Sequence, residues 1–221
     1  MDINEKVFEE LSKSITHFSK WNGINAKNWG SYFYNQNMNP NLDSKLTRSE
    51  LLDKNFVKDL NNEELALAIL SWGGMNREHG KSLFKNKEWI DIITKMRNNE
   101  IETRKEAYEL FVVLRKNKKL KGMGPAYFTK LICFVNPKLK GYIMDQWTSK
   151  SINLLFENKT VFMNVNGHVS DKNSAQIYED FCIKIEYLAD LLNLKSIYLE
   201  ENLFSNGGIN KGKWRQFVVD N

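Results

Sequence analysis

"KLKGMGPAYFTKLICFVNPKLKGYIMDQW", Lys119 to Trp147, is the stretch on which the reading of this chain turns. It opens with a Gly-Met-Gly turn, Gly122 to Gly124, set between two apolar patterns of helical spacing. Before the turn, Tyr108, Phe111, Val112 and Leu114 recur within Lys105 to Arg115; after it, Phe128, Leu131, Ile132 and Val135 form a second stripe. Pro125 stands where the second helix would take its first turn, a position proline favours. Two glycines permit a tight turn and leave backbone N–H groups uncovered. At the positive end of a following helix, such groups make a seat for phosphate. Lys119, Lys121 and Lys130 can add charge around it. A plain turn between two helices would use the same glycines.

The charge distribution points the same way. From Lys105 to Lys150 ten Lys/Arg face three acids, Glu106, Glu109 and Asp145, which makes this segment +7 in a chain of net charge +5. Clustering of this kind is the footprint of a polyanion partner, although a solvated lysine-rich face would give the same count. The composition is globular: 221 residues, 42% hydrophobic, 27% charged, with no repeat or low-complexity tract. That length suits one good-sized core or two small lobes. No apolar run approaches the roughly 20 residues of a membrane helix. The first twenty residues mix charged with apolar positions, unlike a secretion signal, so the expected compartment is the cytoplasm, with no membrane partner. Cys133 and Cys182 lie within apolar helical patterns and are expected to be buried thiols; two cysteines cannot make a four-cysteine iron–sulfur site. His17, His79 and His168 show no metal-binding spacing, so no catalytic metal and no cofactor are expected.

Helical periodicity extends along most of the chain. Val7, Phe8, Leu11, Ile15 and Phe18 mark a first helix, and Glu63 to Ser71 a core-facing one. Ile177, Phe181, Ile185, Leu188 and Leu192 define a long helix, followed by a shorter one over Ile197 to Phe204 ahead of a Gly207-Gly208 stop. Only Thr160 to Ser170 hints at strand. The expected fold class is all-α.

Leu120-Lys121-Gly122-Met123-Gly124 resembles the helix-hairpin-helix motif, usually Leu-Pro-Gly-x-Gly, with Lys121 in place of proline. In the helix-hairpin-helix DNA glycosylase superfamily a catalytic Asp follows the second glycine by about twenty residues, at the head of the next helix. Asp145 lies 21 residues after Gly124, in the context "YIMDQWTSKSINLL", which is similar to that family's motif. Asp145 also suits a helix N-cap, and the two roles are compatible. The chain more closely resembles the bacterial 8-oxoguanine-glycosylase-like proteins of this superfamily, over about Glu63 to Trp214 and most strongly from Leu120 to Leu155. The ending "SIYLEENLFSNGG" is similar to that group's C-terminal helix. The first fifty residues carry no motif.

The resemblance implies a two-lobed helical fold and a single glycosylase-like domain over 1–221, with hairpin and catalytic Asp within 105–155. It implies a monomer acting on double-stranded DNA that carries a damaged or modified base. It gives Asp145 the catalytic role, and Lys119, Lys121, Gly122, Met123, Gly124 and Lys130 the DNA backbone. "SWGGMNREHG", Ser71 to Gly80, interrupts a helix where related enzymes contact the orphaned base, so Met75, Asn76 and Arg77 become a candidate wedge, with a capped surface loop as the alternative. Trp72, Gln146 and Trp147 are candidates for the base pocket, with core packing as the alternative for the tryptophans. The run "NWGSYFYNQN", Trp29 to Asn37, suits a pocket lid or, more simply, core. A structural Na+ or K+ on the hairpin carbonyls is also implied.

Bifunctional members of the superfamily carry a Schiff-base lysine two residues after the second hairpin glycine. Ala126 holds that position here, and Lys130 lies one turn further along, about 6 Å on a regular helix. The expectation is a monofunctional glycosylase that leaves an abasic site, in base repair or in defence against phage DNA with hypermodified bases. The alternative is a non-catalytic helix-hairpin-helix DNA-binding module.

Overall fold

The structure, a computed structural model, describes residues 1–16, 21–34, 37–204 and 212–221. Among the described residues it is all-helical: α1 (Glu5–Ser14), α2 (Ala26–Gly30), α3 (Arg48–Leu52), α4 (Lys54–Lys58), α5 (Asn62–Trp72), α6 (Arg77–Phe84), α7 (Trp89–Arg97), α8 (Arg104–Lys116), α9 (Pro125–Val135), α10 (Gln146–Leu155), α11 (Ala175–Leu191), α12 (Ser196–Leu203) and α13 (Lys213–Asp220). Among the described residues no helix is long and apolar enough to cross a membrane. The strand hint at Thr160 to Ser170 resolves into a turn with one isolated bridge, Met163 to Val169. The backbone polar groups there are taken by Asn153 and Asn173 side chains instead of a neighbouring strand. Phe18 and the Gly207-Gly208 stop lie outside the described residues, as do Asn35 and Gln36 of the aromatic run.

The chain divides into two compact units, one of Met1–Trp21 with Tyr142–Asn221, the other of Asn22–Gly141. They are called here the Asp145 unit and the hairpin unit. In the hairpin unit α5 is the central helix. Leu65 to Leu70 are all fully buried, so it has little amphipathic contrast, as a helix surrounded by protein should. A capping box starts it: the Asn61 side chain accepts from Glu64 N–H, and Glu64 returns the bond to Asn61 N–H at 3.0 Å. α5 packs on α2, α7 and α9. The Phe128 ring of α9 stacks on Phe111 of α8 at 5.2 Å and meets Tyr108 edge-on at 4.9 Å, so the two hairpin helices are joined through aromatic faces. Trp29, fully buried, donates its indole N–H to the Met75 carbonyl, so the core alternative describes this end of the aromatic run.

In the Asp145 unit α10 packs on α1, α11, α12 and α13. The N-terminal segment is thus structural: Leu11 is fully buried, and Asn4 N–H bonds the carbonyl of Leu155 at the end of α10. Cys182 in α11 and Cys133 in α9 of the hairpin unit are buried thiols outside any disulfide, as expected from their apolar surroundings in sequence.

Gly122 has the tightest backbone requirement in the hairpin. Its φ is +85°, and a Cβ there would come within 3.0 Å of His79 Cα and Cβ in α6. Gly74 also has positive φ, at +71°, but a Cβ there would meet nothing within 4 Å. Left-handed strain alone costs about 1 kcal/mol or more, and a backbone collision adds to it. Gly122→Ala should therefore lower the melting temperature clearly more than Gly74→Ala, at roughly 2–4 °C per kcal/mol for a chain of this size. Equal losses in thermal melts followed by circular dichroism would contradict the close approach of α6 to the turn.

Candidate active site

The hairpin is built on the turn Leu120-Lys121-Gly122-Met123, closed by a bond from Met123 N–H to the Leu120 carbonyl. Positive φ at the third position is what a type II turn requires, and the second position of such a turn suits proline but needs only an ordinary negative φ. This explains how Lys121 can replace the motif's proline: no backbone property of the turn is lost, and an exposed ammonium is gained. α8 ends in a left-handed residue, Lys118 (φ 58°), with Lys119 N–H bonded to the Leu114 carbonyl. α9 then begins at Pro125 with Gly124 as its N-cap, and Gly124 has no side chain to occupy the first-turn N–H groups. Gly124 has φ −96°, so its conformation does not require glycine.

The lysines around the turn differ in their surroundings. Lys121 is exposed, whereas Lys119 pairs with Glu88. Lys130 is 7% exposed, its stem lying against Gly73 and its ammonium donating to the Ala126 carbonyl at 2.7 Å. That carbonyl is the helix's own acceptor one turn back, so the ammonium stays against the backbone of α9. One basic group here had no signal of its own in the sequence beyond its charge. Arg115, in the last turn of α8, donates from Nη1 to the carbonyls of Met123 (3.0 Å) and Leu120 (3.4 Å).

The candidate wedge occupies the link between α5 and α6 in the same unit. Met75 is buried, at 1% exposure. Asn76 caps α6 by accepting from Glu78 N–H. Arg77 is exposed, with its guanidinium 4.6 Å above the exposed Tyr32 ring. Trp72 is 6% exposed and meets Phe134 edge-on at 5.1 Å, which is the packing role.

In the Asp145 unit the carboxylate is 7% exposed and stands as N-cap of α10. Its Oδ1 accepts the backbone N–H groups of Trp147 (2.9 Å) and Thr148 (3.1 Å). The Thr148 hydroxyl accepts Asp145 N–H at 3.0 Å and donates to the Ile143 carbonyl at 2.7 Å, fixing the chain on both sides of the cap. Upstream, the buried Tyr178 hydroxyl holds the Tyr142 carbonyl at 3.0 Å, and burial pushes the Tyr142 phenol above its usual range, keeping it neutral. Asp145 Oδ2 accepts no hydrogen bond among the described residues. One oxygen is anchored at the positive end of a helix.

Around this carboxylate stands a group that the sequence reading missed. The Arg215 guanidinium of α13 lies 4.1 Å from the centre of the Trp147 ring and 5.0 Å from that of Phe204, and donates to the Phe204 carbonyl at 2.8 Å. Its buried Nε has no hydrogen-bond partner among the described residues. Burial lowers the Arg215 pKa while the charge of Asp145 raises it, so the two groups feel one another. Lys150 Nζ sits 4.9 Å from the same Trp147 ring, and Gly167 approaches Gln146 and Lys150. Trp147 is only partly exposed and already carries cations, as the electron-rich indole face favours. No periodicity or motif links Arg215 to Asp145 in the sequence.

Because Asn caps helices about as well as Asp, Asp145→Asn should melt close to the wild type, while Asp145→Ala should lose about 0.5–2 kcal/mol. Thermal melts of the two variants check this. An Asn variant less stable than the Ala variant would contradict the capping geometry.

Against known families, residues 16–204 match the one described as "Putative 8-oxoguanine DNA glycosylase OGG-like protein". No curated protein and no solved structure matches the chain. The match begins well before Glu63, where the sequence resemblance starts, and it takes in the short helices α2 to α4. The chain belongs to this 8-oxoguanine DNA glycosylase OGG-like family.

Proposed function

We propose that this protein is a monofunctional DNA glycosylase: it extrudes a modified base from duplex DNA and hydrolyses its N-glycosidic bond, leaving an abasic site. The observation that carries this reading is the division of labour at Asp145, with Oδ1 held by two backbone N–H groups and Oδ2 accepting no hydrogen bond among the described residues. Breaking the bond between sugar C1′ and the base builds positive charge on the sugar ring. A fixed carboxylate oxygen stabilises that charge without reorganising at the moment of reaction. Oδ2 also accepts a proton from the attacking water. The water's hydroxyl goes to C1′, and the base departs with the bonding electrons and takes up a proton. Extrusion of the base costs a few kcal/mol, which is repaid by contacts that hold the distorted strand.

The Ala126 N–H at the head of α9, with the Gly124 N–H before it, supplies a phosphate contact, and exposed Lys121 adds charge beside it. Arg77 and Asn76, the exposed members of the wedge candidate, stand for the contact to the orphaned base, with buried Met75 supporting their turn. Gln146 and Trp147, next to the carboxylate in the chain, stand for the base pocket on this unit.

The excised base belongs to the class of modified bases, in repair or in defence against phage DNA. Ala126 separates this chain from enzymes that use a Schiff-base lysine. One observation favours a lyase as a second reading: the Lys130 ammonium lies 2.7 Å from the Ala126 carbonyl, beside the position where such a lysine is carried. Its engagement with that carbonyl and its burial favour a structural role, and the hydrolytic reading is retained.

A panel of duplexes tests the function, each with one oxidised, alkylated or glucosylated hydroxymethylated base, scored for abasic sites. The expected result is excision of at least one base, with strands intact on a denaturing gel until hot alkali is added and no adduct trapped by borohydride. A trapped band that disappears in Lys130→Ala would establish the lyase instead. Binding to undamaged duplex tests the phosphate seat separately. Lys121→Gln should weaken affinity regardless of sequence and reduce the salt slope by about 0.9, the contribution of one neutralised phosphate. An unchanged slope, read by fluorescence anisotropy across a salt series, would remove Lys121 from the DNA face.

A further inference from the structure

A hairpin that aims its N–H groups outward must turn the opposite ends of the same peptide units inward. In a trans peptide the C=O of one residue and the N–H of the next point in opposite directions. The carbonyl of Leu120 therefore shares its peptide unit with Lys121 N–H, and the carbonyl of Met123 shares its unit with Gly124 N–H. These two inward carbonyls converge on one nitrogen, Nη1 of Arg115, at 3.4 and 3.0 Å. They would otherwise form the seat for the monovalent cation that the family resemblance implies. That cation does not fit here. A guanidinium already donates to both oxygens, and an alkali ion on them would sit within about 4 Å of a fixed positive charge.

We propose that Arg115 is the hairpin's own cation, a positioning residue that replaces a structural Na+ or K+ and readies the opposite faces of these peptides for a DNA phosphate. The inference rests on the reading of the hairpin as a phosphate seat. Arginine suits the task because it stays charged at any working pH and its planar fork fixes direction as well as charge. A positive charge on a carbonyl polarises the whole peptide unit, so the N–H at its other end becomes a stronger donor. The same bonds tie the last turn of α8 to the residues leading into α9. Arg115 thus fixes the turn and charges it through one side chain.

The test compares sodium, potassium and choline chlorides at equal ionic strength, since choline is too bulky to enter a carbonyl seat. Two readouts are taken: binding to an undamaged duplex by fluorescence anisotropy, and thermal melting without DNA. Wild-type affinity and melting temperature should be the same in all three salts. Arg115→Met should bind roughly tenfold more weakly in choline chloride, about the loss of one charge-assisted hydrogen bond, and should recover in part, saturably, with sodium or potassium. Its melting temperature should follow the same order. Wild-type binding and melting that fall in choline and return with sodium or potassium would overturn the proposal. So would an Arg115→Met variant that matches the wild type in choline by both measures. If Arg115→Met does not fold, Arg115→Lys serves, with intermediate affinity expected and no dependence on the added cation. Wild-type protein that binds no duplex in any salt, yet melts identically in all three, would count against the glycosylase reading and leave the arginine's structural role standing.

Discussion

Two backbone N–H groups converge on Oδ1 of Asp145, and much of the Asp145 unit is arranged to bring them there. The bonds from Trp147 and Thr148 require α10 to start at Gln146, and the Thr148 hydroxyl ties the preceding residues to the same start. α10 is in turn enclosed by α1, α11, α12 and α13. A carboxylate at 7% exposure is costly unless hydrogen-bonded, and a helix N-terminus is the least costly place to bury one. Among the described residues, the geometry satisfies one oxygen and leaves the other with unspent acceptor capacity. A side chain needed only as a cap would do equally well as Ser, Thr or Asn. The carboxylate brings a charge that capping does not use, and the proposed chemistry does.

The hairpin solves a related problem with the opposite sign. Its outward N–H groups are a partial positive charge without a side chain, made accessible by Gly124 at the N-cap and by the left-handed turn at Gly122. Leaving donors open costs little only where solvent or a phosphate can reach them. The inward carbonyls cannot be left in that way, and Arg115 satisfies them. In both units the proposed functional group is one half of a pair whose other half is structural: Oδ2 beside Oδ1, and N–H opposite C=O.

Much of this was legible in the sequence because it is local. The long helices carry their own 3.6-residue period, and their bounds fall within a residue or two of those read from Glu63 to Ser71, Lys105 to Arg115 and Ile177 to Leu192. The turn was legible because glycine at positive φ is a local requirement, and the cap because Asp at a helix start is one as well. Contacts distant in sequence left no such mark. Nothing in the first segment announces that α1 would close on α10, since an amphipathic helix does not name its partner. Arg215 reaches Trp147 from the last helix of the chain, and Arg115 was visible only as one of ten positive charges. The loop over Thr160 to Ser170 alternates enough to suggest a strand, but Asn153 and Asn173 take up its backbone groups. Lys130 shows the same limit at short range. Its position in the sequence fixes where its Cα lies, whereas the place of its ammonium depends on Gly73 leaving room beside it.

The account stands or falls on whether the unbonded oxygen of Asp145 does chemistry. The most direct measurement is the single-turnover rate of base release by Asp145→Asn, on whichever modified duplex the wild type converts to abasic sites. The amide preserves the shape and the cap but removes the negative charge from the position of Oδ2. The account predicts a rate at least a hundredfold lower, on the order of the loss of one preorganised electrostatic contact, with duplex affinity unchanged or higher. An Asn variant that releases the base at the wild-type rate would reduce Asp145 to a helix cap and place the catalytic group elsewhere.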